Sequence, residues 1–143
     1  MTIYIGADHR GFALKEYIKN YLAGEGRAIE DCGDKTHDES DDYPDFAKAV
    51  ASRVADEAGA KGIVLCGSGN GVAMTANKTR GIRAAVAMTA EQARAARSDE
   101  DANVIALAAD YTEQDEARDI IEAFLSTPFL DAERHMRRIG KIE

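Results

Sequence analysis

Cysteine is scarce in this sequence. Its 143 residues include two, Cys32 and Cys66, and they form no spaced set that would hold a zinc ion. A chain of this length folds as about one domain and buries enough surface to be stable without disulfides. The sequence therefore predicts a single domain over residues 1–143, and nothing in it indicates an oxidising compartment.

Long apolar runs and an excess of positive charge are also missing. No apolar run approaches the roughly 20 residues of a membrane-spanning helix, and the N-terminus lacks the basic start and cleavage site of a signal peptide. We therefore expect a cytoplasmic protein with no membrane partner. The 18 Lys and Arg residues are outnumbered by 26 Asp and Glu, for a formal net charge of −8, which argues against a nucleic-acid partner.

Short apolar runs alternate with helical segments along the chain. Five runs are typical of strands: TIYIG, RAIEDCG, GIVLCG, IRAAVA and NVIALA. Apolar residues recur at helical spacing between them, as from Leu14 to Leu22, and a last helix is expected over about residues 128–141. The alternation predicts the α/β class, with a Rossmann-like three-layer α/β/α sandwich around a five-stranded parallel sheet.

Three polar sequences follow predicted strands at the edge of the sheet where ligands bind. GADHRG follows the first strand, CGSGNG the third and LAADY the fifth. In CGSGNG a glycine-rich turn leads from a strand into a helix, so several backbone N–H groups point at one spot. That arrangement suits a phosphate and an enediolate equally well.

Cys66 opens the CGSGNG turn. A cysteine at the N-terminal end of a helix carries more thiolate than a free cysteine, which fits a catalytic base. The alternative is a small apolar residue that ends a buried strand, and the spacing alone favours neither interpretation. A nucleotide-binding module is disfavoured, because the sequence has no G-x-G-x-x-G, no Walker loop and no tryptophan for base stacking.

Asp8 and His9 in GADHRG are placed to reach a sugar hydroxyl or a phosphate from the end of the first strand. The alternative is a helix cap at Asp8 and a surface histidine at His9. A metal site is also conceivable in the acidic loop, from His37, Asp38, Asp41 and Asp42. Because a solvated loop explains such a charge run more simply, we expect no metal.

Together, the motifs resemble the type B ribose-5-phosphate isomerases, which are grouped with the galactose-6-phosphate isomerase subunits. The order and spacing of that family are matched by GADHRGF, DYPDFA, GIVLCGSGNG, ANKTRGIRAA, DANVIAL and RHMRRI. The resemblance implies an isomerase that interconverts ribose 5-phosphate and ribulose 5-phosphate through an enediolate, without metal or organic cofactor. It also implies a homodimer or a dimer of dimers, in which the last helix packs on a partner and sites are completed at the subunit interface.

The same resemblance assigns roles to individual residues. Cys66 matches the base that moves a proton between C2 and C1 of the open-chain sugar, and Ser68 matches the residue that hydrogen-bonds O1 and O2. The remaining matches bind substrate, and Arg134 and Arg138 among them bind its phosphate. These positions are Asp8, His9, Gly67, Gly69, Asn70, Gly71, Arg134 and Arg138, with Arg137 as an additional cation.

Three positions depart from the family pattern. Asp99 replaces the histidine assigned to ring opening, and Glu100 replaces an asparagine that contacts substrate. Asp110 stands where relatives usually carry a third phosphate-binding arginine. The added carboxylates repel a phosphate unless they are protonated, turned away or paired with an arginine. The candidate arginines are Arg94, Arg134, Arg137 and Arg138.

Two hypotheses account for these departures. In the first, Asp99 is catalytic and takes over the acid role beside Glu100, which contacts substrate. In the second, ring opening is left to solution and the substrate has changed. Two alternatives to a ribose-5-phosphate isomerase therefore stay open: an isomerase of another sugar phosphate or of a free aldose, and a non-catalytic sugar-phosphate-binding protein.

Overall fold

Five parallel strands form one sheet with helices on both faces in the computed structural model, which describes residues 1–142. The strands are β1 (Thr2–Ala7), β2 (Ala28–Asp31), β3 (Lys61–Cys66), β4 (Ala84–Val86) and β5 (Val104–Ala108). Their order in the sheet is β2-β1-β3-β5-β4, and every neighbouring pair is parallel. The predicted α/β class with a five-stranded parallel sheet is confirmed.

Helices connect these strands, and local chemistry sets where several of them begin. Pro44 occupies the first turn of the second helix, where its missing N–H costs no hydrogen bond. Thr89 caps the fourth helix by accepting a hydrogen bond from the Gln92 N–H, and Glu113 and Glu116 form a capping box at the fifth. The helices are α1 (Phe12–Gly24), α2 (Tyr43–Asp56), α3 (Asn70–Ala76), α4 (Ala90–Glu100), α5 (Gln114–Ser126) and α6 (Glu133–Gly140), and a short 3₁₀ turn spans Ala109–Tyr111.

The sheet separates two apolar layers. Along β3 the side chains alternate, so that Ile63 and Leu65 pack with α1, α4 and α5. Val64 and Cys66 pack instead with α2 and α3. All four side chains are buried, as a parallel sheet covered on both faces requires. Cys66, the last residue of β3, therefore faces the layer formed by α2 and α3.

The chain changes direction in the sheet between β1 and β3. From β1 it moves outward to β2 on one side, and from β3 it continues to β4 and β5 on the other side. Such a change opens a crevice at the carboxyl ends of the two strands, where ligands bind in sheets of this kind. Because Ala7 pairs with Leu65, the next residues, Asp8 and Cys66, both stand at this crevice.

The last helix is shorter than the sequence predicts. It was expected over about residues 128–141, whereas α6 begins at Glu133 and an irregular connection precedes it. Pro128 cannot donate a helical hydrogen bond, and the Leu130 N–H instead donates to the Ser98 carbonyl of α4 at 2.9 Å. The packing of α6 on a partner subunit stays a prediction. Within residues 1–142, no helix combines the length and the apolar character that crossing a membrane requires.

Candidate active site

A cavity of about 380 Å³ opens at the crevice between β1 and β3. Its size is within the range of sites that bind small molecules. The polar sequences that follow β1, β3 and β5 all contribute to it, and α2 adds one residue from its first turn. The lining residues are Asp8, Arg10, Tyr43, Cys66, Gly67, Ser68, Gly71, Asp110 and Tyr111.

Cys66 lines this cavity with a side chain that is only 5% exposed. The Gly69 N–H donates a hydrogen bond to Cys66 Sγ at 3.2 Å. A donor aimed at the sulfur stabilises negative charge on it. Gly69 has φ +76°, a left-handed conformation that favours glycine, so the turn that directs this N–H at the sulfur depends on the glycine.

Ser68 and Gly71 shape the wall of the cavity beyond Cys66. The Asn70 N–H donates to Ser68 Oγ at 3.2 Å, which fixes the hydroxyl oxygen at the turn. A Cβ at Gly71 would lie 2.5 Å from two ring carbons of Tyr43, so the aromatic ring packs directly on the glycine backbone. Tyr43 thereby closes the side of the cavity that faces α2.

Asp8 is 4% exposed and accepts two backbone hydrogen bonds through one oxygen. The Arg10 and Gly11 N–H groups donate to Asp8 Oδ1 at 3.0 and 3.1 Å. These bonds fix the turn between β1 and α1. Asp8 therefore has part of the role of a helix cap, which was the alternative to substrate binding. Asp8 also lines the cavity, and its second carboxylate oxygen makes no such bond to a backbone N–H.

His9 is joined to the acidic loop by Asp41. The His9 backbone N–H donates to Asp41 Oδ1 at 2.9 Å, and His9 Nδ1 lies 2.7 Å from the same oxygen. This hydrogen bond raises the pKa of His9 above its usual 6.5, because the carboxylate favours the imidazolium. With Nδ1 held by Asp41, Nε2 is the ring nitrogen left for a ligand.

The metal site considered in the acidic loop is not assembled. Among residues 1–142, one group has ligand atoms within 4.8 Å of one another, and it consists of Asp8, His9 and Asp41. In this group Asp8 Oδ1, Asp41 Oδ1 and His9 Nδ1 already have hydrogen-bond partners within the turn and the loop, whereas Asp41 Oδ2 is buried without one. His37 packs edge-on against Phe12 instead, with ring centroids 5.8 Å apart. In the same loop, the Asp38 carboxylate accepts two hydrogen bonds from Ser40.

Asp110, one of the three departures, lines the cavity and forms an ion pair with Arg10 Nη2. The pair lies over the backbone of Gly67, where a Cβ would be 2.7 Å from Asp110 Oδ2 and 2.9 Å from Arg10 Nε. None of the arginines that the sequence suggested for this role, Arg94, Arg134, Arg137 and Arg138, pairs with it. Of the three possibilities left open for Asp110, the structure shows pairing with an arginine, but that arginine is Arg10 of the neighbouring turn.

Asp99 and Glu100 lie away from the cavity. α4 runs back from the carboxyl ends of the strands, and its 11 residues span about 16 Å. Where it ends, the Glu100 carbonyl accepts a hydrogen bond from Nε of Arg83, which directly precedes β4. β4 starts at the amino-terminal ends of the strands, whereas the Cys66 turn follows a carboxyl-terminal end. Asp99 and Glu100 therefore lie at the end of the sheet opposite to the cavity.

α6 lies beside the same end of α4. His135 on α6 is buried, and its Nε2 lies 3.9 Å from the Asp99 carboxylate. Arg134 and Arg138 are exposed, and neither lines the cavity. Within one chain the expected site residues therefore form two sets. The first set lies at the cavity: Asp8, Cys66, Gly67, Ser68 and Gly71 line it, whereas His9, Gly69 and Asn70 are next to lining residues in the chain but are not part of the lining. The second set, which we call the α4–α6 set, consists of Asp99, Glu100, Arg134 and Arg138.

Arg10, Tyr43 and Tyr111 line the cavity without having been predicted. Each of them lies inside a motif that the sequence did single out: GADHRG, DYPDFA and LAADY. Their position next to the expected residues was the available signal. These three residues reach the cavity only because segments distant in sequence pack together, so the motifs alone did not identify them.

Comparison with known proteins places this chain and its fold in a family. The sequence model of the Ribose/Galactose Isomerase family matches residues 3–142. The chain is 42% identical over 139 residues to ribose-5-phosphate isomerase B of Mycobacterium leprae. This match covers 97% of this chain and 86% of that relative. The chain therefore belongs to the ribose/galactose isomerase family, and it is an isomerase. The resemblance seen in the motifs is confirmed.

Solved structures agree with this assignment. The crystal structure of a ribose 5-phosphate isomerase from Thermotoga maritima superposes with a TM-score of 0.94 at 45% identity, and the match covers 99% of this chain and 96% of that one. Ribose-5-phosphate isomerase B from Mycoplasma genitalium, solved with bound ribulose-5-phosphate, also has a TM-score of 0.94, at 38% identity. That match covers 99% of this chain and 93% of that one.

Proposed function

We propose that this chain interconverts ribose 5-phosphate and ribulose 5-phosphate through an enediolate, with Cys66 as the base and with no metal or organic cofactor. The observation that carries the proposal is the buried Cys66 sulfur, which faces a cavity of small-molecule size and accepts a hydrogen bond from the Gly69 N–H. The ribulose-5-phosphate bound to the Mycoplasma genitalium relative supports the choice of substrate.

The proton transfer follows from the chemistry of a thiolate beside a carbonyl compound. The Cys66 thiolate removes the proton from C2 of the open-chain aldose, and the electrons of the broken C–H bond form the C1–C2 double bond. The carbonyl electrons move to O1, which becomes negatively charged. Cys66 then returns the proton to C1, while the hydroxyl proton on O2 passes to O1 as the ketone forms at C2.

The glycine turn stabilises the charge that develops on O1. Gly67, Ser68 and Gly71 line the cavity next to Cys66, and their backbone N–H groups are the donors to O1 in this proposal, because the Gly69 and Asn70 N–H groups already bind Cys66 Sγ and Ser68 Oγ. Each oriented donor to an oxyanion contributes about 3–4 kcal/mol. The Ser68 hydroxyl, fixed by the Asn70 N–H, hydrogen-bonds O1 and O2. Asp8 and His9 bind the substrate from the end of β1.

The α4–α6 set acts on the cavity of a second copy of the chain in this proposal. Asp99 and Glu100 lie at the opposite end of their own sheet, and the exposed arginines of α6 lie beside them. A homodimer or a dimer of dimers brings these residues to a partner's cavity, where Arg134 and Arg138 bind the substrate phosphate. Asp99 then supplies the acid for ring opening and Glu100 contacts the sugar.

A different substrate is the second candidate function, and the carboxylates at positions 99, 100 and 110 are what favour it. They alter the charge around the sugar without touching Cys66 or the glycine turn. An isomerase of another sugar phosphate or of a free aldose keeps the same proton transfer.

Turnover measurements on two cysteine variants test the proposal. Wild type and Cys32→Ala convert ribose 5-phosphate, whereas Cys66→Ala loses at least about a thousandfold in kcat because it lacks the base. A panel of pentose and hexose phosphates and free aldoses, run on the wild type, identifies the preferred substrate. Background activity of the wild type on ribose 5-phosphate rules out that substrate, and an active Cys66→Ala rules out the base.

A further inference from the structure

Within one chain, Arg10 is the residue of the cavity wall whose charge suits an anionic substrate. Among the described residues that form its walls, Asp8 and Asp110 are acidic and Arg10 is the only basic one. A sugar phosphate carries about 1.5 to 2 negative charges at neutral pH. Two carboxylates repel such a molecule, so a cation in the cavity wall favours binding of the phosphate in addition to the arginines that a second copy brings.

The ion pair with Asp110 holds Arg10 where it is able to serve as that cation. Asp110 accepts from Nη2, and a guanidinium has five N–H donors, so most of its donors remain available. Within residues 1–142, the Arg10 side chain donates to no other acceptor. The pair also lies directly on the backbone of Gly67, one residue beyond Cys66.

We propose that Arg10 is a substrate-binding residue that donates to the phosphate group of the substrate. This inference rests on the proposed function and names the residue of this chain's own cavity that recognises the phosphate. Cys66 lies on the floor of the cavity at 5% exposure, whereas the Arg10 side chain is 59% exposed at its mouth. The hydrated, charged end of the substrate remains at the mouth when C1 and C2 reach Cys66, so Arg10 binds the phosphate and not the enediolate.

The matched variants for the test are Arg10→Met and Arg118→Met. Methionine keeps the length of the apolar stem and removes the charge. Arg118 lies on α5, is 43% exposed and forms its own ion pair with Asp115, so it resembles Arg10 in exposure and pairing but lies outside the cavity. The melting temperature of each variant shows whether it is folded.

We expect Arg10→Met to raise the KM for ribose 5-phosphate at least about tenfold, as loss of a charged hydrogen bond to an anion predicts. Its kcat stays close to that of the wild type, because the proton transfer at Cys66 is unchanged. Arg118→Met leaves both constants unchanged. An unchanged KM in Arg10→Met overturns the proposal, and so does a fall in kcat at constant KM, which would assign Arg10 to the enediolate.

Calorimetric titration with inorganic phosphate separates this inference from the proposed function, because it requires no turnover. The wild type and Arg118→Met bind phosphate, and Arg10→Met binds it at least about tenfold more weakly. Equal binding by the two methionine variants overturns the role of Arg10, whatever the turnover assay shows. A wild type that binds phosphate through Arg10 but does not convert ribose 5-phosphate refutes the proposed function alone.

The double variant Arg10→Asp/Asp110→Arg provides a second test. It keeps one basic and two acidic side chains in the cavity wall and moves the cation across Gly67. We expect its KM to lie much closer to the wild-type value than the raised KM of Arg10→Met does, because the guanidinium still lies at the mouth beside the same turn. If a folded double variant is as impaired as Arg10→Met, the charge at the mouth is not what binds the phosphate.

Discussion

At the scale of single residues, the two cysteines of the chain occupy different environments. Cys66 ends β3 and lines the cavity, whereas Cys32 follows the edge strand β2, which β1 separates from β3, and lies outside the cavity lining. Burial raises the pKa of Cys32 to about 11, so its thiol stays protonated at neutral pH. Cys32 is therefore the natural control for every experiment that replaces Cys66.

The pairing of His9 with Asp41 gives a prediction at the same scale. The Asp41 carboxylate raises the pKa of His9 above 6.5 by accepting its Nδ1 hydrogen bond, so Asp41→Asn lowers that pKa. The raised pKa means that the pair stabilises the fold below about pH 6.5 and loses this contribution as pH rises through the folded-state pKa. Asp41→Asn therefore destabilises the protein more at acid pH than at alkaline pH.

Titration of the histidine ring signals by NMR measures this pKa directly. The sequence has three histidines, so a spectrum of His9→Gln identifies the signal of His9. Asp38→Asn is the control, because Asp38 lies in the same acidic loop but bonds to Ser40. If the pKa of His9 is the same in Asp41→Asn and in the wild type, Asp41 does not hold the imidazolium.

At the scale of elements, the packing of α2 on α3 depends on a glycine. A Cβ at Gly71 would lie 2.5 Å from the Tyr43 ring, so Gly71→Ala forces the ring out of the cavity wall. We expect the free energy of unfolding to fall by about 1–3 kcal/mol, as for other overpacked sites. Substrate binding weakens as well, because Tyr43 forms one side of the cavity.

Urea unfolding of matched alanine variants checks this expectation. Gly24 ends α1, and a Cβ there meets nothing within 4 Å, so Gly24→Ala is the control. It leaves stability unchanged or raises it by up to about 1 kcal/mol, since alanine is the better helix former. Equal stability of the two variants would show that Tyr43 does not pack on Gly71 as described.

Most of the elements were predictable because their signals are local. The continuous apolar run of β3 and the stripe from Leu14 to Leu22 in α1 need no information beyond a few neighbouring residues. The start of α6 was not predictable in this way. It depends on a hydrogen bond between Leu130 and Ser98, which are far apart in sequence, in addition to the local effect of Pro128.

The site was predictable where it follows from strand order, and not where it depends on contacts between distant side chains. Asp8 and Cys66 follow strands that share one edge of a parallel sheet, so their meeting follows from topology. Arg10 and Asp110 are 100 residues apart, and no local pattern indicates their ion pair. Asp99 occupies the position of a family site residue, the histidine assigned to ring opening. The length of α4 nevertheless places it at the amino-terminal ends of the strands, away from the cavity of its own chain.

At the scale of the whole molecule, the separation of the two sets predicts complementation between inactive subunits. Cys66→Ala lacks the base, and Arg134→Ala/Arg138→Ala lacks the phosphate arginines. In a hybrid dimer of the two, one site combines an intact cavity with the intact α4–α6 set of the other chain. Random mixing gives about a quarter of wild-type activity, because half of the dimers are hybrids with one working site each.

Unfolding and refolding the two variants together provides this measurement, and each variant refolded alone provides the control. Both controls stay far below the mixture if the site is shared between subunits. A mixture no more active than its components would place every catalytic residue in one chain. That result contradicts the shared site but leaves the role of Cys66 intact.

The transfer of a proton through Cys66 is the central claim, and isomerisation in deuterium oxide tests it most directly. The base exchanges its proton with solvent while the enediolate exists, so the wild type and Cys32→Ala form ribulose 5-phosphate that carries deuterium on C1, which NMR detects. Cys66→Ala forms no labelled product. Labelled product from Cys66→Ala at the wild-type rate would contradict the account.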